Sequence, residues 1–293
     1  MLKAVVGALL VLAALAAPTE VVAQSEEGNT MSQAIESGHA PVEGTELYYE
    51  IHGEGAPLVM LHGGVDPSAF LGAPLAEMAK AFRVIAIHAR GHGLSADTDA
   101  PWSTEQAADD VAAVLRDLGI EKASVMGYSF GGKIALQFAL RHPDMLDKLV
   151  VVAAGYATSG EYPEVRAAFE KLPEMAEVYG AGLAQSPLAK LYTDVDWATV
   201  MRKSGELGSQ EHDWSEGIKG IKSPTLLVFA DADYVRPEHI AEFYKLLGGG
   251  QRDAGIDGSQ RSPNRLAIVP GTTHYTIIES PAVFQHATEF LRN

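Results

Sequence analysis

Four short segments hold the residues best suited to chemistry, and each follows a run that reads as a β-strand. The first is Gly127-Tyr128-Ser129-Phe130-Gly131-Gly132, set between the strand pattern Ala123–Met126 and the helical pattern Phe130–Arg141. Gly-x-Ser-x-Gly alone arises often by chance. On a strand–turn–helix it becomes a nucleophile elbow, because glycines lack the Cβ atoms that would clash in so tight a turn. The serine oxygen then stands exposed, and the helix amino terminus behind it favours developing negative charge. The second segment is Leu61-His62-Gly63-Gly64. A glycine pair at a strand end can turn a backbone amide toward a cleft. The N–H groups of Gly64 and Phe130 are thus the candidate oxyanion donors, each such donor being worth about 3 kcal/mol of barrier. Without a partner site the same pair is an ordinary strand-end turn.

The third segment is Ala230-Asp231-Ala232-Asp233, and the fourth is Gly271-Thr272-Thr273-His274. An aspartate at a strand end can orient a histidine and stabilise its imidazolium form, and two aspartates compete for that role. A histidine in a loop is usually just solvated. The order serine, then aspartate, then histidine marks His274 as the general base for Ser129.

The elements that must position these groups alternate. Leu47, Tyr49 and Ile51 alternate through the strand Thr45–His52, while Leu58–Leu61 and Val84–Ile87 are nearly continuous apolar runs, the pattern of strands covered on both faces. Further strands are predicted at Ala123–Met126, Leu149–Val152, Leu226–Phe229 and Leu266–Val269, with helices in the intervals. Ser103 with Gln106 forms a capping-box pattern ahead of the helix carrying Val111, Val114, Leu115 and Leu118. The implied fold class is α/β, a mostly parallel central sheet with helices on both faces. Residues 156–219 break the alternation, with helical patterns and no strand, and Gly248 to Asn264 reads as a long surface loop.

At these motifs the chain resembles the α/β-hydrolase fold family from about Gly38 to Asn293. The match includes Arg90-Gly91-His92-Gly93-Leu94-Ser95, a segment such hydrolases commonly carry after the fourth strand. The resemblance implies that His92 anchors that loop. It also selects Asp233, four residues before Pro237, over Asp231 as the triad acid. His62 is expected to be structural. His88 departs from the family pattern, in which an acidic residue is common. Finally, the resemblance implies a helical cap over 156–219, inserted into a core formed by 38–155 and 220–293. Leu172, Met175, Tyr179, Leu183, Leu191, Trp197, Met201 and Trp214 would then mostly build the cap's own core and its seat.

Composition narrows the partners. Among 293 residues there are 22 Lys+Arg, 38 Asp+Glu and no cysteine, for a net charge of −16. Without a basic block, sequence-independent nucleic-acid binding is disfavoured. Without cysteine there are no disulfides, zinc–thiolate sites or thiol nucleophiles. At the amino terminus Lys3 precedes the apolar run Ala4–Ala17, too short to span a bilayer, and Val21-Val22-Ala23 suits a signal peptidase. The expectation is a signal peptide over 1–23, cleaved after Ala23, then a flexible lead-in over 24–37. That implies a secreted or periplasmic protein without a stable membrane anchor.

The resulting expectation is a serine hydrolase acting on a small-molecule ester or lactone through Ser129, His274 and Asp233. It needs no cofactor or metal. A serine at the elbow disfavours the dehalogenases and epoxide hydrolases of this family, which use aspartate there. Amide or peptide cleavage, perhydrolysis and carbon–carbon hydrolysis share the same triad, and a non-catalytic binder of the same fold is a further alternative.

Overall fold

The computed structural model describes residues 34–293. The expected signal peptide and residues 24–33 of the expected lead-in lie outside the described residues. Eight strands form one sheet: β1 (Glu36–Val42), β2 (Thr45–His52), β3 (Pro57–Leu61), β4 (Arg83–Ile87), β5 (Ala123–Tyr128), β6 (Leu146–Val152), β7 (Thr225–Ala232) and β8 (Arg265–Thr273). Their spatial order is β1-β2-β4-β3-β5-β6-β7-β8. The β1–β2 and β2–β4 pairs are antiparallel, and every other pair is parallel.

The central strands are apolar throughout because the sheet is buried on both sides. Side chains alternate across a strand, so Val59, Leu61, Ile85 and Ile87 enter one core cluster and Leu58, Met60, Val84 and Ala86 the other. The first cluster is closed by the helices Thr104–Asp117 and Phe130–Arg141, the second by Ala73–Met78 and Pro281–Arg292. Burying each such side chain is worth roughly 1.5–3 kcal/mol. The capping pattern does its work: the Ser103 hydroxyl accepts from the Gln106 amide at 3.0 Å.

One expectation needs correction. Glu36 and Ser37, assigned to the lead-in, belong to β1, which pairs with β2 in the register Gly38↔Tyr49 and Ala40↔Leu47. This edge strand is mostly polar and carries Pro41, tolerable only because no strand lies beyond it. Ala40 alone of its residues is buried, so no apolar alternation announces it. Between β6 and β7 lie the helices Pro163–Lys171, Ala176–Leu183, Leu188–Leu191, Trp197–Gly208 and Ser215–Ile218. Leu183, Trp197 and Met201 fall in a small separate cluster, against which Leu172, Tyr179 and Val65 of the sheet domain pack. Met175 and Leu191 do not join it, being 37% and 59% exposed. Lys203 of the helix Trp197–Gly208, only 3% exposed, ties these helices to the loop after β4. Its ammonium donates to Asp97 at 2.8 Å, to the Ala100 carbonyl at 2.9 Å, and to the Thr98 carbonyl.

Candidate active site

Ser129 sits where β5 stops and the next helix begins, with φ 52° and ψ −112°, a conformation that L-residues adopt only at a cost of about 1–3 kcal/mol. The flanking glycines make that turn possible. A Cβ on Gly127 would lie 2.0 Å from the Gly131 carbonyl oxygen, and one on Gly131 would lie 2.2 Å from that of Leu61. The elbow is held from the strands on either side of β5. Ser129 N–H donates to the Val152 carbonyl at 2.9 Å, and Gly131 N–H to the His62 carbonyl at 3.0 Å. The second bond brings the Gly63-Gly64 turn against the elbow. Gly64, Ser129 and Phe130 line one cavity of about 170 Å³. Neither the Gly64 nor the Phe130 amide has an acceptor among the described residues.

His274 arrives from the loop after β8. Its Nε2 lies 3.0 Å from Ser129 Oγ, and its Nδ1 lies 3.0 Å from Asp233 Oδ1. The Tyr128 hydroxyl donates to the His274 carbonyl at 2.8 Å, fixing the backbone from which the ring projects. The Asp233 carboxylate is fully buried. It accepts from the amides of Ala230 at 3.2 Å and Val235 at 3.3 Å, as well as from the imidazole. Asp231 has a different task. Its exposed carboxylate accepts from the Gly271 amide at 3.0 Å and the Thr272 amide at 3.2 Å. Those bonds, Gly271 first, hold its carboxyl below the usual aspartate range. Asp231 thus braces the loop that carries His274 without touching the ring.

A family model described as "alpha/beta hydrolase fold" matches residues 56–195, a span that includes the elbow and the glycine turn. The chain belongs to the α/β-hydrolase fold family. It is 33% identical over 189 residues to the putative carbamate hydrolase RutD of a Caulobacter species, covering 62% of this chain and 66% of that protein. It is also 35% identical over 117 residues to an uncharacterized protein of Mycobacterium tuberculosis, covering 40% of this chain and 34% of that protein. The chain therefore spans only about a third of the length of the mycobacterial relatives it matches. Among solved structures, the enol-lactonase of Burkholderia xenovorans superposes with a TM-score of 0.68 at 22% identity, covering 87% of this chain and 100% of that one.

Several residues around Ser129 and His274 escaped the sequence. Tyr234, directly after the buried aspartate, packs on His274 with ring centroids 3.8 Å apart and the ring planes tilted by 38°, and its hydroxyl is taken out of solvent. Burial pushes that hydroxyl's pKa well above its usual value, so it remains a donor. Phe169, Leu207 and Trp214 reach the cavity from the inserted helices. Only Trp214 stood among the residues considered from sequence. Nothing in the local pattern of Phe169 or Leu207 distinguishes a cleft wall from a helix core.

The loop Arg90–Ser95 is also anchored in this family member, through His88. The Leu94 amide donates to His88 Nδ1 at 3.0 Å, and the Ser95 hydroxyl donates to the His88 carbonyl at 2.6 Å. Arg90 pairs with buried Asp110 at 2.9 Å. Burial pushes His88 and His92 down to about 4, keeping both neutral, and His62 lies lower than usual for the same reason. His62 Nε2 accepts from the Ala89 amide at 3.0 Å, joining the ends of β3 and β4.

Proposed function

We propose that the chain is a serine hydrolase that cleaves a carboxylic ester or lactone through an acyl-enzyme. The observation that carries this reading is the unbroken run from Ser129 Oγ to His274 Nε2, and from His274 Nδ1 to Asp233 Oδ1, with both contacts at 3.0 Å. In the first step Ser129 Oγ attacks the acyl carbon while His274 takes its proton, and the leaving alcohol recovers that proton. Asp233 holds the imidazole with Nδ1–H toward itself and stabilises the imidazolium. The Gly64 and Phe130 amides donate to the tetrahedral oxyanion. Water, deprotonated by His274, then attacks the acyl-enzyme and releases the acid.

The likeness to the enol-lactonase agrees with ester or lactone chemistry. The likeness to a putative carbamate hydrolase favours a second reading, cleavage of a carbamate or amide on the same triad. Labelling with a fluorophosphonate, followed by intact mass and peptide mapping, tests the nucleophile. Covalent mass should appear on Ser129 and vanish in Ser129→Ala. A wild-type serine that stays unlabelled would point to a non-catalytic binder. Hydrolysis of p-nitrophenyl esters, lactones and carbamates side by side ranks the two readings.

A further inference from the structure

Both nitrogens of the His274 imidazole are engaged at the ring edge, Nε2 toward Ser129 and Nδ1 toward Asp233. Its faces remain, and a tyrosine covers one of them. The Tyr234 centroid lies 3.8 Å from that of His274 with the planes tilted by 38°, so the two rings meet face against face. Tyr275 stands nearly perpendicular to the imidazole at 5.2 Å, and Tyr128 lies farther off at 5.6 Å. The turn after β7 thus supplies two partners from adjacent positions, Asp233 at the imidazole edge and Tyr234 over its face. That turn is clamped where the inserted helices begin. The Tyr162 amide donates to the Tyr234 carbonyl at 3.2 Å, and the Arg236 amide to the Gly160 carbonyl at 2.8 Å. Glu161 and Val235 form an antiparallel bridge between these bonds. The backbone that carries the Tyr234 ring is therefore fixed on both sides.

The ring face matters because His274 becomes an imidazolium when it takes the Ser129 proton. A cation within about 6 Å of an aromatic centroid is attracted by the negative face of the ring, most strongly where water is excluded. His274 is only 4% exposed, so its contact with Tyr234 is of the desolvated kind. Asp233 is the carboxylate in contact with the imidazole. Glu161 acts on Tyr234 and Glu279 on Tyr128 as more distant ones. Burial raises the Tyr128, Tyr234 and Tyr275 hydroxyls above the usual tyrosine range, so all three surround His274 as neutral phenols and not as further anions.

We propose that Tyr234 is a positioning residue of the triad, whose ring face steadies the His274 imidazole and stabilises the imidazolium formed as Ser129 is acylated. The proposal rests on the serine-hydrolase reading above and adds to it a fourth residue, which acts through His274.

The test follows acylation by p-nitrophenyl acetate across pH in wild type, Tyr234→Phe and Tyr234→Leu, with circular dichroism checking the fold. Phenylalanine keeps the ring, whereas leucine keeps an apolar cover without a π face. Tyr234→Phe should hold the wild-type pH midpoint and most of the rate. Tyr234→Leu should move the midpoint of acylation downward by about half a pH unit to one and a half, because the protonated base loses its ring. Its plateau rate should fall by about two- to thirtyfold, since the transition state loses the same attraction. A side chain that merely walls the cavity would change KM and leave the midpoint in place, and that result would overturn the proposal. So would a midpoint that moves equally in Tyr234→Phe. If Tyr234→Leu does not fold, phenylalanines of increasing ring fluorination at position 234 keep the shape while weakening the π face. The midpoint should then fall stepwise with fluorine number, and a constant midpoint would refute the assignment. Fluorophosphonate labelling of the same samples separates the failures. A labelled enzyme with an unmoved midpoint sinks the role of Tyr234 alone, whereas an unlabelled one sinks the hydrolase reading beneath it.

Discussion

Replacing Asp233 by asparagine tests the proposed chemistry most directly, because every bond of its carboxylate is known. Oδ1 serves His274 and the Val235 amide, and Oδ2 serves the Ala230 amide. An asparagine can orient in two ways, and both are costly. With its oxygen toward His274, its NH2 confronts the Ala230 N–H. With its oxygen toward Ala230, its NH2 donates to Nδ1 and forces the proton onto Nε2, the atom that must accept from Ser129. In either case the imidazolium of the transition state loses a buried anion. For charges about 4 Å apart at an effective dielectric of about 20, that attraction is about 4 kcal/mol. Turnover should therefore fall by about a thousandfold. Asp231→Asn should cost less than about tenfold, since its exposed side chain keeps an acceptor for one of two amides and each such bond contributes only about 1 kcal/mol. The assay is the acylation rate with a p-nitrophenyl ester, on variants whose circular dichroism matches wild type. A larger loss in Asp231→Asn, or a loss below tenfold in Asp233→Asn, would refute the reasoning.

Ser129→Gly should abolish labelling yet raise the unfolding midpoint, because glycine adopts φ 52° and ψ −112° without the strain of about 1–3 kcal/mol that serine bears; a lower midpoint would contradict this. Acidification should destabilise the fold between pH 7 and 5. His88 and His92 are pushed from 6.5 to about 4, so in this window the unfolded chain binds more protons than the folded one. Their contribution is complete above pH 6.5 and lost as pH falls toward 4, amounting to about 2 kcal/mol each by pH 5. Urea unfolding at a series of pH values checks this, and a flat or rising stability on acidification would exclude it. Protein exported by a secreting host should begin at Gln24 by amino-terminal sequencing, whereas a mature chain starting at Met1 would rule out the cleavage proposal.

What was legible in the sequence is what sterics and burial impose on residue type. A strand covered on both faces must be apolar throughout, so β3, β4 and β6 could be read directly. The elbow could be read because only glycine fits beside Ser129. The edge strand β1 had no such requirement, since nearly all its side chains face solvent. The departure at His88 illustrates a different limit. The loop Arg90–Ser95 needs an acceptor for the Leu94 amide, and a neutral imidazole supplies one as a carboxylate would. The residue type alone therefore does not reveal the hydrogen bond. Tyr234, Phe169 and Leu207 were illegible as site residues for a third reason. Their roles depend on how the inserted helices and the β7 turn meet the elbow, a matter of tertiary geometry.

The same geometry explains why the strained residues gather where they do. Among the described residues, the non-glycine positions with positive φ are Val65, Ser129 and Ala153. They follow β3, β5 and β6, at the carboxyl edge of neighbouring parallel strands. From β3 the chain proceeds to β4 on one side, then crosses back to β5 on the other, so the connections diverge between β3 and β5. Divergence opens a crevice beyond the strand ends, the place where open α/β sheets bind ligands. The Gly63-Gly64 turn leaves β3 at one side of that crevice, and Ser129 leaves β5 at the other. Each chain must turn sharply to stay clear of the gap while pointing polar groups into it. The backbone strain at Ser129 is thus the local cost of holding the proposed nucleophile at the switch point, offset by the apolar cores on both faces of the sheet.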